Sequence, residues 1–123
     1  MSRDQQRLAD HLAHIIEAIE RIGRYTEDMD ELAFLSNPLV QDAVIRNLEI
    51  IGEASRNIEV LYPAFAAAHP ELPLAIAYQM RNAVAHGYFK VDLEVVWKTL
   101  QRDLPELHAL SQRAADALDA GSF

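Results

Sequence analysis

The sequence predicts an all-α fold, a bundle of four or five helices. Apolar residues recur at alternating spacings of three and four through several long stretches, which is the period of an amphipathic helix. Prolines, glycines and N-capping residues stand between these stretches, and no segment shows the alternation of a strand. The chain has 123 residues, of which 50% are hydrophobic. That is enough for one domain with its own core, so we expect a single domain over residues 1–123.

The first helix is predicted over residues 4–25 from a continuous apolar stripe. The stripe contains Leu8, Leu12, Ile15, Ile19 and Ile22, with Ile16 widening it. A short helix is expected around residues 30–35. Asn37 as an N-cap and Pro38 at the first helical position then predict the start of the next helix, because the missing N–H of proline is not needed there.

The helix predicted over residues 38–61 is apolar on more than one side. Its core stripe contains Val40, Val44, Leu48, Ile51 and Ile58. Ile45 and Ile50 fall outside this stripe, on opposite flanks. We therefore expect a helix that is central in the bundle or that faces a second subunit.

The second half of the chain is punctuated by proline and glycine. A short helix is expected over residues 64–68, and a fourth helix over residues 74–85 that Gly87 would end. The last helix begins with Asp92 as its N-cap, and Pro105 inside its apolar pattern predicts a kink or a break. Its apolar residues are Leu93, Val96, Trp97, Leu100, Leu104 and Leu107.

The chain is acidic, with a net charge of −8 from 11 basic and 19 acidic residues. This balance argues against a protein that binds nucleic acid through a broad basic surface. Only residues 81–102 have the opposite balance, which makes this segment the expected position of an anionic ligand. Its basic residues are Arg81, Lys90, Lys98 and Arg102, and its acidic residues are Asp92 and Glu94.

Several classes of function are disfavoured by residue usage. The absence of cysteine excludes thiol catalysis, zinc–thiolate sites and iron–sulfur clusters. The polar amino terminus differs from a signal peptide, and no apolar stretch could span a bilayer, so we expect a cytoplasmic protein. His11, His14, His69 and His108 are expected to be solvated, and no pair of them has the spacing of a helical metal site. We expect neither a metal nor a cofactor.

His86 differs from the other histidines because of its neighbours. Arg81 precedes it by five residues, Gly87 follows it directly, and Tyr88 comes two residues later. Histidine suits general acid–base work at neutral pH, and the arginine guanidinium matches phosphate oxygens. Together these residues could cleave RNA without a metal. The alternative is structural: the histidine caps a helix, the arginine makes a surface ion pair and the tyrosine packs.

The geometry of a straight helix qualifies the catalytic interpretation. Residues five positions apart point about 140° away from each other. Arg81 and His86 therefore converge only if the helix unwinds near Gly87 or if a second copy of the chain contributes. A two-fold dimer would bring two Arg–His sets into one cleft, and it would also explain the apolar flanks of the 38–61 helix.

The combination of motifs resembles the HepT-like toxins of the HEPN superfamily. The run from Arg81 to Phe89 matches the R-x4-H-x-Y motif of that family. The segments 43–54 and 91–97 are similar to its upstream block and to the start of its final helix. The similarity extends over most of residues 5–110. It implies an all-α bundle of HEPN type that works as a homodimer.

The resemblance also implies a function. It implies a metal-independent endoribonuclease with Arg81 and His86 as the catalytic residues in a cleft at the dimer interface, and Asn82 in a supporting position. In the family, the toxin is paired with an antitoxin that is a minimal nucleotidyltransferase, MntA. That antitoxin transfers AMP onto the motif tyrosine, which corresponds to Tyr88 here.

Other residues and other functions remain open at this stage. Arg46, Glu49 and Glu53 belong to the upstream block, where they could support the active site or form a surface ion-pair network. Trp97 and Phe89 are expected to anchor the core or an interface. The alternative function is a non-catalytic HEPN subunit that presents a substrate to a nucleotidyltransferase, and a third is a purely structural helical dimer.

Overall fold

The computed structural model describes residues 2–75, 77–78 and 92–121, and these residues form helices and connecting turns without any strand. Five helices follow one another in this part of the chain. They are α1 (Arg3–Thr26), α2 (Glu31–Leu35), α3 (Pro38–Leu61), α4 (Pro63–Ala68) and α5 (Leu93–Asp119). The predicted all-α fold class is confirmed.

Four of these helices, α1, α2, α3 and α5, begin where short polar side chains satisfy their first N–H groups. Ser2 and Gln5 form a reciprocal capping box at the start of α1. Asp30 accepts a hydrogen bond from the Ala33 N–H at the start of α2. Asn37 and Asp92, both predicted as N-caps, accept hydrogen bonds from backbone N–H groups in the first turns of α3 and α5.

Helix α1 lies between the two other long helices and is antiparallel to both. Arg21 near its end contacts Asn47 in the first half of α3, whereas Leu8 near its beginning shares a cleft with Tyr62 after the end of α3. On the other side, Glu20 contacts His108 of α5. The predicted stripes of α1 and α3 form the centre of the core, where Leu12, Ile15, Ile22, Val44, Leu48, Ile51 and Ile58 are almost completely buried.

The short helix α2 closes one end of this core. Phe34 is fully buried, and its ring lies 5.4 Å from that of the half-buried Trp97 on α5. Trp97 therefore packs against the core as predicted. Phe89, expected in a similar role, lies outside the described residues.

Two sequence predictions concern the long helices α5 and α3. Pro105 does not break the last helix, because α5 continues through it to Asp119. Leu104 and Leu107 are buried on either side of the exposed proline and hold both halves of the helix against the core. Ile45 and Ile50 are half-buried within the single chain, so part of these flanks is already covered without a second subunit.

Candidate active site

Four residues of the predicted site lie outside the described residues: Arg81, Asn82, His86 and Tyr88. The same holds for Gly87 and for most of the helix predicted over residues 74–85. The structure places the two ends of this segment. One is a helical turn that leads to Tyr78, and the other is Asp92 at the start of α5.

The turn before the motif is anchored in the core. Its first residues follow Pro73, whose carbonyl accepts a hydrogen bond from the Ala77 N–H at 3.0 Å. Leu74 and Ala77 are buried, as expected for an apolar pair three positions apart on one helix face. The chain therefore enters the motif from a fixed position on the bundle.

Tyr78 contacts the second half of α3. Its hydroxyl lies 3.4 Å from the Oε1 atom of Glu59, to which it can donate a hydrogen bond. The Arg56 guanidinium carbon lies 5.6 Å from the centre of the Tyr78 ring, within the range of a cation–π contact. Sequence reasoning did not single out these three residues.

The three charged residues of the upstream block lie on the outer side of α3. Arg46 and Glu49 form an ion pair of 3.6 Å at the surface. Glu53 is exposed one turn further along and lines a cleft of about 270 Å³ between α1 and α3 together with His11 and His14. The structure thus brings Arg46 and Glu49 into contact as a surface ion pair, and Glu53 is not part of this pair. A surface ion-pair network was one of the two interpretations of these residues.

Asn47, next to Arg46, is buried and belongs to the α1–α3 interface. Its Oδ1 atom accepts a hydrogen bond of 2.9 Å from Arg21 Nε, and its Nδ2 group donates one of 2.8 Å to the carbonyl of Ala43. Burial of an amide is tolerated when its polar atoms are satisfied in this way. Asn47 lies three residues after Val44 and four before Ile51, both in the core stripe. This spacing could have indicated from the sequence that Asn47 is buried.

The side chain of His11 is not fully solvated, contrary to the expectation from the sequence. It is half-buried, with its ring 6.1 Å from the ring of Tyr62 and 6.3 Å from that of His14. Burial is the larger cause that lowers the pKa of His11, and the neighbouring His14 lowers it further, whereas Asp10 acts in the opposite direction.

Two of the other histidines also contact other residues. His108 Nε2 lies 3.1 Å from the Glu20 carboxylate, and the ring of His69 stacks on Phe65 at 4.2 Å. His14 is exposed. Among residues 2–75, 77–78 and 92–121, no three His, Asp or Glu side chains are grouped so that they could hold a metal ion.

The far end of the positively charged segment is at the surface. Lys98 and Arg102 are exposed on α5, and the two acidic residues that oppose them, Asp92 and Glu94, are also exposed. Arg81 and Lys90 lie outside the described residues. In the part of the chain that the structure covers, no helix is both long and apolar enough to cross a membrane.

Comparison with known proteins identifies the family. The family model described as "Ribonuclease HepT-like" matches residues 15–114. The "Probable ribonuclease HepT" of Thermococcus cleftensis is 46% identical over 98 residues, which cover 80% of this chain and 86% of the relative. A protein of Methanocaldococcus jannaschii that bears the name "Putative RNase" is 36% identical over 96 residues, 78% of this chain and 85% of its own.

A further relative comes from a different organism. A protein of Caldanaerobacter subterraneus subsp. tengcongensis, also named "Putative RNase", is 31% identical over 97 residues, which are 79% of this chain and 84% of the relative. No solved structure matches the chain significantly. The family match covers both α3, with its upstream block, and the motif segment. This chain belongs to the HepT-like ribonuclease family.

Proposed function

We propose that this protein is a metal-independent endoribonuclease, with Arg81 and His86 as its catalytic residues. The observation that carries the proposal is an intact R-x4-H-x-Y motif within the residues that match the family model. The names of the relatives support ribonuclease activity at the level of the family. We further propose that residues 1–123 act as one domain and as a homodimer.

The chemistry needs one proton acceptor, one proton donor and a positive charge. His86 in its neutral form takes the proton of a ribose 2′-OH, whose oxygen then attacks the adjacent phosphorus. The charged phosphorane is stabilised by the Arg81 guanidinium. The bond to the 5′-oxygen breaks as a protonated histidine donates its proton to that oxygen. The products are a 2′,3′-cyclic phosphate and a free 5′-hydroxyl.

A dimer supplies two histidines for these two proton transfers. A single chain has one motif histidine, and its predicted direction on a straight helix differs from that of Arg81 by about 140°. Two copies related by a two-fold axis would combine both pairs in one cleft. This is the reason for proposing that the active site is formed at the dimer interface.

The contacts of Tyr78 support a position of the motif near α3. Arg81 and Asn82 follow Tyr78 by only three and four positions, so the length of the chain keeps them within about 15 Å of the point where Tyr78 contacts α3. Glu53 lies one turn of α3 before Arg56. We therefore propose Glu53 as a carboxylate partner near the active site.

Asn82 and the Arg46–Glu49 pair would support the catalytic residues. We propose that Asn82 assists Arg81 at the RNA phosphate, since its amide can both donate and accept hydrogen bonds. The Arg46–Glu49 pair on α3 would order the surface beside the cleft.

Regulation is proposed to act through Tyr88. We infer that the partner is a nucleotidyltransferase antitoxin of the MntA type, which attaches AMP to this tyrosine. Because Tyr88 is two residues from His86, the added phosphate and base would occupy the cleft by charge and by volume. The protein would then be the toxin of a toxin–antitoxin pair, and RNA would be its substrate.

A non-catalytic subunit that presents a substrate to a nucleotidyltransferase is the second candidate. The net charge of −8 favours it, because such a subunit needs no affinity for RNA. The complete motif favours the nuclease, because a scaffold has no need for the arginine, the histidine and the tyrosine together.

The deciding experiment uses the purified wild type and the His86→Ala variant with cellular RNA in the presence of EDTA. The intact mass is measured first, so that only protein without an AMP adduct on Tyr88 is compared. We expect the wild type to produce 2′,3′-cyclic phosphate ends and the variant to lose at least about 100-fold in rate, the scale of a lost general acid–base. If unmodified wild type cuts no RNA, the second candidate is preferred.

A further inference from the structure

Two residues of α3, Arg56 and Glu59, contact the side chain of Tyr78, which lies in the turn that precedes the motif. Arg56 and Glu59 are three positions apart and therefore lie on one face of that helix. The guanidinium of Arg56 lies over the ring of Tyr78, and the carboxylate of Glu59 is close to its hydroxyl. The two contacts use different parts of the tyrosine, namely the face of the ring and its polar edge.

We propose that Arg56, Tyr78 and Glu59 form a clamp that fixes the orientation of the chain at Tyr78 on α3, three residues before Arg81. Arg56, Tyr78 and Glu59 are thus positioning residues: they act on the RNA through Arg81 and touch no reacting atom. This inference rests on the proposed function, because its effect is on the rate of RNA cleavage.

A contact with two attachment points fixes orientation as well as distance. The buried Leu74 and Ala77 hold the turn against the core, but apolar contacts tolerate small rotations of a helix. A ring held at its face and at its hydroxyl allows less rotation. Arg81 follows Tyr78 by only three residues, so a change in the orientation of the backbone at Tyr78 would displace the start of the segment that carries the guanidinium.

The charges of the clamp also fit its position. A cation over the face of tyrosine and a carboxylate at its hydroxyl both match the polarity of the ring, which is negative on its face and carries the hydroxyl donor at its edge. Arg56 is exposed, whereas Tyr78 and Glu59 are half-buried. Arg56 can therefore be changed without opening the core, which makes it the first residue to test.

The test measures kcat and KM on a synthetic RNA that contains a cleavage site found with the wild type. The variants are Arg56→Gln, Arg56→Lys, Tyr78→Leu, Tyr78→Phe and the double variant Arg56→Gln/Tyr78→Leu. Arg113→Gln serves as a matched control, since Arg113 is an exposed arginine on α5. Thermal unfolding of each variant is recorded, and the kinetics are measured well below the lowest midpoint.

We expect Arg56→Gln and Tyr78→Leu each to lower kcat by about tenfold with KM nearly unchanged, since small misplacements of a catalytic group reduce rates on this scale. Arg56→Lys should restore most of the rate because it keeps a cation at the ring. Tyr78→Phe should have a smaller effect than Tyr78→Leu, because it keeps the ring and loses only the hydroxyl. The double variant should be no slower than the slower single variant, as expected for two residues that act as one unit.

Three results would overturn the clamp. The first is that Arg56→Gln and Tyr78→Leu both keep the kcat of the wild type. The second is that the two reductions in kcat multiply in the double variant. The third is that Arg56→Lys is as slow as Arg56→Gln. If the wild type itself cuts no RNA, the proposed function fails and this inference fails with it. Cleavage by the wild type together with unaffected clamp variants rejects the clamp alone.

Discussion

The environment of His11 links the stability of the protein to pH. The ring is partly withdrawn from water beside Tyr62, and the charged groups around it are His14, Asp10, Arg7, Asp4 and Glu53. Burial first and His14 second lower the pKa of His11 below its ordinary value of 6.5. In the unfolded chain neither cause operates. As the pH falls through about 6.5, the unfolded state therefore binds a proton more readily than the folded state, and the free energy of unfolding decreases.

We expect His11→Gln to reduce this loss of stability at low pH. Urea unfolding of the wild type and the variant at pH 8, 7, 6 and 5 gives the free energy of unfolding at each pH. His14→Gln should retain most of the pH dependence, because burial is the larger cause and remains in place. Identical slopes for the wild type and His11→Gln over this range would contradict the assignment of the pH dependence to His11.

The histidines show what residue identity alone leaves open. Their spacing in the sequence does not match that of a helical His-Glu-x-x-His site. Solvation was predicted wrongly for His11 because it depends on a residue of another element, Tyr62, which follows α3 and covers the ring. The same reason explains Asn47, whose partner Arg21 is 26 positions away in the chain.

At the scale of the element, α5 carries a proline that its packing tolerates. A proline inside a helix has no N–H to donate to the carbonyl four residues earlier, here that of Gln101. Gln101 and Pro105 are both exposed, so water can hydrate this carbonyl. The buried Leu104 and Leu107 secure the helix on both sides. The proline therefore costs stability without ending the helix.

Replacement of this proline should stabilise the protein. We expect Pro105→Ala to raise the free energy of unfolding by about 1–3 kcal/mol, which is the helical penalty of proline reduced by its rigidity in the unfolded chain. Glu106→Ala, at the neighbouring exposed position, should change it by no more than about 0.5 kcal/mol. Urea unfolding at neutral pH checks both values, and a destabilised Pro105→Ala variant would show that the proline is required for the packing of α5.

Helix starts were the most predictable features of the elements. Asn37, Pro38 and Asp92 act where the sequence indicated, because a cap depends on residues within one turn. A kink or a break was predicted at Pro105, and the helix does not break there because burial on both sides of the proline outweighs its local propensity. The helix predicted over residues 74–85 is described only in its first turn.

At the scale of the whole molecule, net charge limits how RNA can bind. A chain with a net charge of −8 repels a polyanion over most of its surface. Contacts to phosphate are then restricted to a small positive region, for which the candidates are Arg81, Lys90, Lys98 and Arg102. Lys98 and Arg102 are exposed, as such contacts require.

The affinity for RNA should therefore depend only moderately on salt. For single strands, each phosphate contact contributes about −0.7 to the slope of log K against log salt concentration, so two or three contacts predict a slope of about −1.4 to −2.1. The inactive His86→Ala variant allows this slope to be measured by fluorescence anisotropy without cleavage. A slope steeper than about −5 would indicate an extended basic surface, contrary to the charge distribution.

The fold class, the N-caps Asn37 and Asp92, the core stripes of α1 and α3, and the motif of Arg81, His86 and Tyr88 could all be read from the sequence. These features follow from residue type and short-range spacing, which local backbone geometry converts directly into helices and faces. The family resemblance depended on the same local patterns and is confirmed by the match over residues 15–114.

The contacts between residues of different helices could be found only in the folded chain. It paired Arg21 with Asn47 and His108 with Glu20, and it placed Tyr78 against Arg56 and Glu59. Such pairs depend on the angle and register at which two helices pack. The shapes of many side chains fix that register together, and no single stretch of sequence contains it.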